Sequence, residues 1–317
     1  MKIVILDAKT MGEDIDLGPI KTLGEVEIYP LTEKEDVAKR IQDAEVVITN
    51  KVVLRESNLK TATSLKLIAL FATGFNNIDL DYAASRGIGV VNVAGYSTQS
   101  VAQHTFAMLF HLLEQLSFYD SYVKEKDYTK SDTFAYIARP FYELTNKTWG
   151  IIGMGGIGKE VARLAEAFGT KVIYYSTSGN NKEAGYPCVS LDTLLETSDI
   201  ISIHAPLNDK TKNLIGCKEL EKMKKTAILI NVGRGKIIDE EALAKALKEN
   251  LIRGAALDVL AKEPIEANHP FYQVDPSKWF VTPHIAWSSV EARRTLVQEV
   301  VLNIQAFTRG EKRNRIV

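Results

Sequence analysis

The sequence of 317 residues predicts an α/β protein of two domains, each built on a parallel sheet. Short apolar runs alternate with polar, helix-like stretches before residue 96 and again after residue 147, as in successive βαβ units. The strand leading into the glycine motif Gly153-Met-Gly155-Gly-Ile-Gly158 begins at Thr148, so enough chain precedes it for a separate domain. One amphipathic segment, Ser288–Phe307, follows the last predicted strand.

The first domain contains five predicted strands separated by polar stretches, of which Glu33–Gln42 and Asp79–Ser85 are predicted helices. Its pattern is flavodoxin-like, although it has no glycine-rich phosphate loop. The strands are Ile3–Leu6, Val26–Tyr29, Val46–Thr49, Leu67–Leu70 and Gly89–Asn92. Because Ser288–Phe307 cannot join the sheet that ends near Thr282, we expect it to return to this domain. The domain is then discontinuous, with residues 1–97 and 288–317.

The second domain, residues 98–287, is predicted to be a doubly wound sheet of the Rossmann type, inserted into the first. A long apolar helix, Tyr96–Gln115, connects the two and opens with N-cap chemistry at Ser97 to Ser100. The predicted strands are Thr148–Ile152, Lys171–Tyr175, Asp199–His204, Ala227–Asn231, Gly254–Leu257 and Phe280–Thr282. Since the chain crosses twice between the domains, we expect a ligand cleft there.

Composition excludes several classes of function. Apolar residues make up 45% and charged residues 25%, as in ordinary globular proteins. A formal net charge of −1 argues against a nucleic-acid partner, and no segment has the apolar length of a membrane span. The N-terminal run ends at Asp7, so it predicts a strand rather than a signal peptide. Cys188 and Cys217 lack metal-ligand spacing, so we expect a cytoplasmic protein without a metal.

The glycine motif predicts a dinucleotide site, because it stands between an apolar strand and the helix-like stretch Lys159–Phe168. Gly153 permits the tight turn, Gly155 allows a pyrophosphate to approach the backbone, and Gly158 allows the helix to pack closely on the strand. The amides at the start of that helix would then bind the phosphates.

The choice between NAD and NADP stays open. The strand Lys171–Tyr175 is followed by Ser176-Thr-Ser178, where an NAD enzyme usually has a carboxylate for the ribose hydroxyls. Without that carboxylate, a 2′-phosphate meets no repulsion, and the three hydroxyls with Lys182 nearby offer it partners. The loop has no arginine, however, which would be the better phosphate ligand.

Three charged side chains stand at the predicted carboxyl ends of strands: Arg234 between two glycines, Glu263 before Pro264, and His284 after Pro283. Singly, each fits an ordinary role as a surface turn, an exposed carboxylate or a core histidine. Together they suit hydride transfer to a keto acid. Arginine binds a carboxylate with two hydrogen bonds, histidine passes a proton to the carbonyl oxygen, and glutamate orients the imidazole and favours its protonated form.

With these motifs in view, the sequence resembles the D-2-hydroxyacid dehydrogenase family over essentially the whole chain. The resemblance is carried by FATGFNNID at 71–79, YSTQSVAQH at 96–104, the glycine motif, NVGRG at 231–235, LDVLAKEP at 257–264 and TPHIAW at 282–287. It is most similar to the hydroxypyruvate reductase (glycerate dehydrogenase) branch.

The resemblance implies a role for each matching residue. His284 is the implied general acid/base, Glu263 its partner, and Arg234 the group that binds the substrate carboxylate and polarises the carbonyl. Thr73 and Gly74 add backbone N–H contacts, and Asp258 holds the nicotinamide carboxamide. The implied cofactor-binding residues are Gly153, Gly155, Gly156, Ile157, Gly158, Ser176, Ala205, Pro206, Val232, Gly233, Asp258, His284 and Thr73. Family members are typically homodimers, with residues 115–145 crossing to the neighbour.

Two departures leave the substrate open: the missing carboxylate after Tyr175, and Ile137 where hydroxypyruvate reductases often have tryptophan. The favoured reaction is reduction of hydroxypyruvate or glyoxylate to the (R)-2-hydroxy acid, D-glycerate for the former, with NAD or NADP. The alternatives are pyruvate, a branched acid or phosphoglycerate as substrate, and an NAD(H)-sensing binding protein.

Overall fold

The computed structural model of the chain describes residues 1–179 and 185–317, which form two compact units. Residues 1–97 and 288–317 make the first unit, and residues 98–287 make the second. Within the described ranges, no helix combines the length and apolarity that a membrane span requires.

The first unit is built on a five-stranded parallel sheet. Its strands are β1 (Lys2–Ile5), β2 (Glu25–Ile28), β3 (Val46–Thr49), β4 (Leu67–Leu70) and β5 (Gly89–Val91). Its first helices are α1 (Gly18–Lys21), α2 (Val37–Arg40), α3 (Glu56–Leu59) and α4 (Leu80–Ser85). The strand order β2-β1-β3-β4-β5 is the flavodoxin-like order, and β3 and β4 are buried along their whole length. The predicted fold class is confirmed.

The helix predicted over Glu33–Gln42 is shorter in the structure, where only α2 is helical. The residues before it form a turn, in which the Asp36 amide donates to the Glu33 carbonyl at 3.0 Å. No side chain caps the first turn of α2, so nothing extends the helix toward Glu33.

The second unit begins with two helices and continues as a doubly wound parallel sheet. Its helices are α5 (Thr98–Leu113), α6 (Leu116–Lys124), α7 (Gly156–Ala167), α8 (Leu191–Thr197), α9 (Cys217–Lys222) and α10 (Glu240–Lys248). Its strands are β6 (Thr148–Ile152), β7 (Lys171–Tyr175), β8 (Ile200–Ile203), β9 (Ile228–Asn231), β10 (Gly254–Leu257) and β11 (Trp279–Val281). They lie in the order β11-β10-β9-β8-β6-β7, and one parallel bridge from Tyr174 to Cys188 continues the sheet beyond β7.

The strand order reverses at β6, which has β7 on one side and β8 on the other. All six strands run parallel, so the loops that follow them leave from one edge of the sheet. In open α/β sheets, ligands bind at this carboxyl edge near the reversal point.

The last helix, α11 (Val290–Thr308), belongs to the first unit and packs against β4. Ser289 precedes the helix and caps its first turn, because its hydroxyl accepts the Ala292 amide at 3.2 Å. Beyond α11, the Ile316 amide donates to the Val90 carbonyl at 2.8 Å, so the end of the chain covers the edge strand β5.

Candidate active site

The glycine turn between β6 and α7 is shaped by steric limits. Gly153 has φ +95°, and a Cβ there would lie 2.9 Å from the Ala205 amide nitrogen at the end of β8. A Cβ at Gly158 would collide with the Gly153 carbonyl oxygen. A Cβ at Gly155 would meet no atom of the described residues within 4 Å, so this side of the turn is open in the described structure. Any residue but glycine would therefore strain the turn or fill the space beside it.

The open side of the turn fits the pyrophosphate of a dinucleotide. Helix α7 begins after Gly155 with Gly156 and Ile157, and no side chain caps its first amides. Those amides and the positive end of the helix dipole are suited to an anion. A cavity of about 540 Å³ extends from the turn. Its lining residues are Gly153, Met154, Gly155, Ser176, Thr177, Ser178, His204, Pro206, Asn208, Asp209 and Lys210.

Lys210 was missed by the sequence reasoning, which considered only cations that follow β7. It comes from the loop after β8, and the Asn208 side chain folds that loop by accepting the amides of Lys210 and Thr211 at 2.9 and 3.2 Å. The sequence did contain a signal for Lys210 as a cofactor contact. Ala205 and Pro206, five and four residues earlier, were already predicted to bind the cofactor. The predicted phosphate partner Lys182 lies outside the described residues.

His204, at the end of β8, forms one wall of this cavity. Its Nε2 lies 2.9 Å from the Ser202 hydroxyl, which also accepts the Trp149 indole N–H at 2.8 Å. Its Nδ1 is buried and has no partner within the described part of the chain. Burial lowers the pKa of the His204 imidazole to about 3, because the charged form would lose its hydration.

Arg234 follows β9 in a loop whose backbone is packed on both sides. A Cβ at Gly233 would lie 2.9 Å from the Ala205 carbonyl oxygen, and a Cβ at Gly235 would overlap the Leu260 carbonyl. The Asn231 side chain closes the loop, because it donates to the Arg234 carbonyl at 2.9 Å and accepts the Gly233 amide at 3.0 Å. Val232 and Gly233, assigned to the cofactor, lie on this turn.

The Arg234 guanidinium is half-buried and donates to the carbonyl of its own neighbour Gly233 at 2.8 Å. In residues 1–179 and 185–317, no carboxylate pairs with it. A half-buried guanidinium without a counter-ion is a ready site for a carboxylate ligand.

His284 and Glu263 are in direct contact. His284 Nδ1 lies 2.7 Å from Glu263 Oε2, and the other carboxylate oxygen accepts the Leu260 amide at 3.0 Å. The His284 side chain is 23% exposed, and its Nε2 has no partner among the residues described. The carboxylate therefore orients the ring through Nδ1 and leaves Nε2 able to exchange a proton.

Asp258, at the end of β10, holds the loop that carries His284. Its buried carboxylate accepts the Thr282 hydroxyl at 2.6 Å and the amides of Ile285 and Ala286 at 2.8 and 2.9 Å. His284 itself has φ +56°, a left-handed conformation that this loop imposes. The predicted contact of Asp258 with a carboxamide stays a prediction, and the positioning of the loop is an additional role that the sequence did not indicate.

His104 reaches the same network from α5, with Nε2 3.0 Å from the Thr282 hydroxyl oxygen. Thr282 uses its proton on Asp258, so His104 Nε2 is the donor. Burial lowers the pKa of His104, while the Asp258 charge acts in the opposite direction. His104 thus supports the loop through Thr282.

The strand order brings the three sequence-predicted charged groups to neighbouring positions. Arg234 follows β9, Glu263 follows β10, and His284 follows β11, and these three strands are adjacent in the sheet. The arrangement can hold an anion and move a proton. No group of metal-ligating side chains occurs in the described ranges.

Thr73 and Gly74 lie in the first unit, after β4. The Thr73 hydroxyl donates to the Val93 carbonyl, and the Asn92 amide group donates to the Thr73 carbonyl, both at 2.7 Å. The backbone N–H groups of Thr73 and Gly74 have no partner among the described residues. These two amides are therefore able to donate to an anion.

A segment of the second unit, residues 116–142, exposes many apolar side chains and is named here the aromatic segment. Helix α6 has no buried residue, and the Tyr122 and Tyr136 rings stack at 4.0 Å. Phe134 is 94% exposed and Ile137 is 83% exposed. An exposed apolar surface of this size usually marks an interaction site.

The chain is similar to known proteins of one family. Residues 106–286 match the family model for the D-isomer specific 2-hydroxyacid dehydrogenase NAD binding domain. A glycerate dehydrogenase of Methylorubrum extorquens is 38% identical, over 99% of this chain and 98% of that protein.

Two solved structures with the same fold carry different cofactors. The D-lactate dehydrogenase of Aquifex aeolicus, complexed with NAD and lactic acid, has a TM-score of 0.84 at 30% identity and covers 98% of this chain and 96% of its own. The NADPH-dependent glyoxylate/hydroxypyruvate reductase of Sinorhizobium meliloti, in complex with NADP and malonate, has a TM-score of 0.84 at 26% identity, with 100% and 96% covered.

Proposed function

The chain belongs to the D-2-hydroxyacid dehydrogenase family and is an oxidoreductase, and from that premise we propose that it reduces a small 2-oxo acid to the (R)-2-hydroxy acid. Hydroxypyruvate and glyoxylate are the favoured substrates, in line with the named activities of its relatives. The observation that carries the proposal is the His284–Glu263 contact of 2.7 Å, which leaves His284 Nε2 without a partner in the described chain.

In this proposal, residues 98–287 bind a nicotinamide cofactor and residues 1–97 with 288–317 contribute to substrate binding. The cofactor, when bound, supplies the hydride for the substrate C2 carbon. Gly155, Gly156 and Ile157 offer the open turn and uncapped amides for its pyrophosphate. The backbone around Ala205, Pro206 and Val232 lines the same edge of the sheet.

His284 Nε2 donates a proton to the carbonyl oxygen as that oxygen gains negative charge, and it takes the proton back in the reverse reaction. Glu263 stabilises the protonated ring and fixes its orientation through Nδ1. Asp258 stabilises the loop that carries His284, because its carboxylate accepts hydrogen bonds from the Thr282 hydroxyl and from two backbone amides.

Arg234 binds the substrate carboxylate, and the free amides of Thr73 and Gly74 are further donors to it. A carboxylate held by a guanidinium with two bonds has a fixed orientation, so its 2-oxo group is presented in one direction. The guanidinium also draws electron density from the carbonyl oxygen, which makes C2 a better hydride acceptor.

The cofactor cavity supports the use of both NADP and NAD. The described residues directly after β7, 176–179, include no carboxylate to repel a 2′-phosphate, and Lys210 lines the cavity together with Ser176. Asp209, on the same loop, is a candidate partner for an unphosphorylated ribose. Lys210→Ala should raise the NADPH KM against the NADH KM by about fivefold or less, the value of an exposed ion pair. Lys212→Ala, outside this lining, is the control, and an equal effect of both variants contradicts the assignment.

We also propose a homodimer in which the aromatic segment, with Ile137, contacts a second copy of the chain. Ile137→Lys should reduce the sedimenting mass to that of one chain, whereas Val53→Lys, an exposed apolar position of the first unit, should not.

The two exposed free cysteines support a reducing compartment such as the cytoplasm.

The test of the function is steady-state oxidation of NADH and NADPH with hydroxypyruvate, glyoxylate, pyruvate and a branched 2-oxo acid. Preference for hydroxypyruvate or glyoxylate supports the proposal, and preference for pyruvate or the branched acid moves the assignment to another acid of the same reaction class. Tight cofactor binding without turnover of any acid contradicts it and favours a cofactor-sensing protein.

A further inference from the structure

Glu240 and His269 form a second histidine–glutamate pair in the second unit. His269 Nε2 lies 3.1 Å from Glu240 Oε2, and the two side chains are only 10% and 11% exposed. His269 Nδ1 accepts the Phe271 amide at 3.4 Å, so Nε2 carries the proton and donates it to the Glu240 carboxylate. Both ring nitrogens are therefore occupied, and the proposed reaction uses neither of them.

The second oxygen of Glu240 is bonded to the loop that carries Glu263. The Ala261 amide donates to Glu240 Oε1 at 2.6 Å, while the preceding amide, of Leu260, donates to Glu263 Oε1 at 3.0 Å. Two consecutive amides thus donate to two different carboxylates. The Ala261 N–H belongs to the Leu260–Ala261 peptide and the Leu260 N–H to the peptide before it, so two successive peptide units are each held by one carboxylate.

The same peptide lies directly against the loop that carries Arg234. A Cβ at Gly235 would overlap the Leu260 carbonyl and approach the Ala261 amide nitrogen at a distance too short for any side chain. A shift of the peptide toward Gly235 therefore has to move the neighbour of Arg234. The position of one backbone unit is shared by the Glu263 loop and the Arg234 loop.

We propose that Glu240, held in turn by His269, is a positioning residue that fixes the Leu260–Ala261 peptide and through it the placement of Glu263 and Arg234. Glu240 is the first residue of α10, so the loop is anchored to a regular element. The inference rests on the proposed function, because the groups that it positions are the proposed proton-transfer and carboxylate-binding residues. The hydrogen bonds of Glu240 to Ala261 and His269 are present in the structure whatever reaction the protein catalyses.

The test compares Glu240→Ala with Glu241→Ala. Glu241 is the next residue of the same helical turn, carries the same charge and is exposed, so it is a matched control. We expect Glu240→Ala to raise the hydrogen-exchange rate of the Ala261 amide and to lower kcat/KM for the 2-oxo acid by about 10- to 100-fold, the cost of a small displacement of catalytic groups. NADH affinity should be unchanged, and Glu241→Ala should match the wild type in every readout.

Two further variants separate positioning from general loss of structure. Glu240→Gln keeps an oxygen for the Ala261 amide but turns an NH2 group toward the His269 Nε2–H, so it should recover part of the lost kcat/KM. The double variant Glu240→Ala with Glu263→Ala should lose less than the product of the single losses, because both act through one loop. Full additivity, or no recovery by Glu240→Gln, contradicts the proposal.

The outcomes also distinguish this inference from the proposed function. If the wild type turns over the acid and Glu240→Ala matches Glu241→Ala in kcat/KM and in Ala261 exchange, the positioning role is wrong. The role is also wrong if Glu240→Ala loses NADH binding and exchanges faster throughout the second unit. If no acid is turned over but Ala261 alone exchanges faster, the anchor is supported and the proposed function fails.

Discussion

Two histidine–glutamate pairs lie in the second unit, and they differ in what surrounds the imidazole. In His284–Glu263, the ring is partly exposed and its second nitrogen has no partner within the described residues. In His269–Glu240, the ring is nearly buried and its second nitrogen accepts a backbone amide. In our proposals, the same two residue types transfer a proton in one place and anchor a loop in the other, and the difference lies in whether the second ring nitrogen has a partner.

Replacing the two histidines is the strongest test of this difference. His284→Ala should lower kcat by about 10²- to 10⁴-fold, the usual contribution of a general acid or base. His269→Ala should lower the unfolding temperature and keep the pH dependence of the wild type. Steady-state rates measured from pH 5 to pH 9 check both expectations, and near-normal turnover of His284→Ala would overturn the proposed role.

Arg234 distinguishes the two pairs further. It follows β9, the neighbour of β10, and has no carboxylate partner among the described residues, so we place it in the proposed site with Glu263 and His284. Arg234→Ala should lower kcat/KM by about 10²- to 10³-fold, as expected when a donor to a developing charge is lost. KM for the acid should rise as well as kcat fall. Lys236→Ala, an exposed cation two residues on, is the control, and equal effects of the two variants would refute carboxylate binding by Arg234.

Glu263→Gln removes a negative charge that lies 2.7 Å from the imidazole and keeps the shape of the side chain. We expect kcat to fall by about 10- to 100-fold, the range for losing a group that orients a functional histidine. Steady-state rates of the variant and the wild type, measured side by side with hydroxypyruvate, check this, and equal kcat values would contradict the pairing.

His204 differs from both pairs, because its buried Nδ1 has no partner among the described residues while loss of hydration favours the neutral imidazole. Burial lowers the pKa of His204 to about 3, so between pH 6.5 and pH 3 the unfolded chain binds a proton that the folded chain does not. Stability then falls as the pH decreases through this window, by up to about 2 kcal/mol at pH 5.

His204→Gln removes the titrating group and should weaken this pH dependence. Thermal unfolding of both proteins from pH 7 to pH 5, at one ionic strength, measures the difference. An unchanged dependence in the variant would show that other groups cause the acid sensitivity.

The sequence was sufficient for the fold and for the groups that follow the strands. Alternating apolar runs predicted both parallel sheets, and the spacing of the glycine motif matches the steric limits found at Gly153 and Gly158. The three charged groups could be selected because each lies in the loop after a strand, and parallel strands bring their carboxyl ends to one edge.

The supporting contacts could not be predicted, because they join positions far apart in the chain. Glu240 and Ala261 are 21 residues apart, and Asp258 meets Ala286 across 28 residues. Nothing local distinguishes Glu240 from Glu241, since both begin a helix that favours acidic residues at its start. Only the packed loops show which carboxylate is turned inward.

The bonds of Asp258 have a consequence for how this protein can be adapted to other acids. They hold the backbone of Ile285 and Ala286, not their side chains, and Ile285 is 43% exposed. A different side chain at Ile285 leaves the amide and its bond to Asp258 in place, so the surface next to His284 can be varied while the backbone of the loop stays held. Position 285 is therefore a natural starting point for saturation libraries that select new substrates.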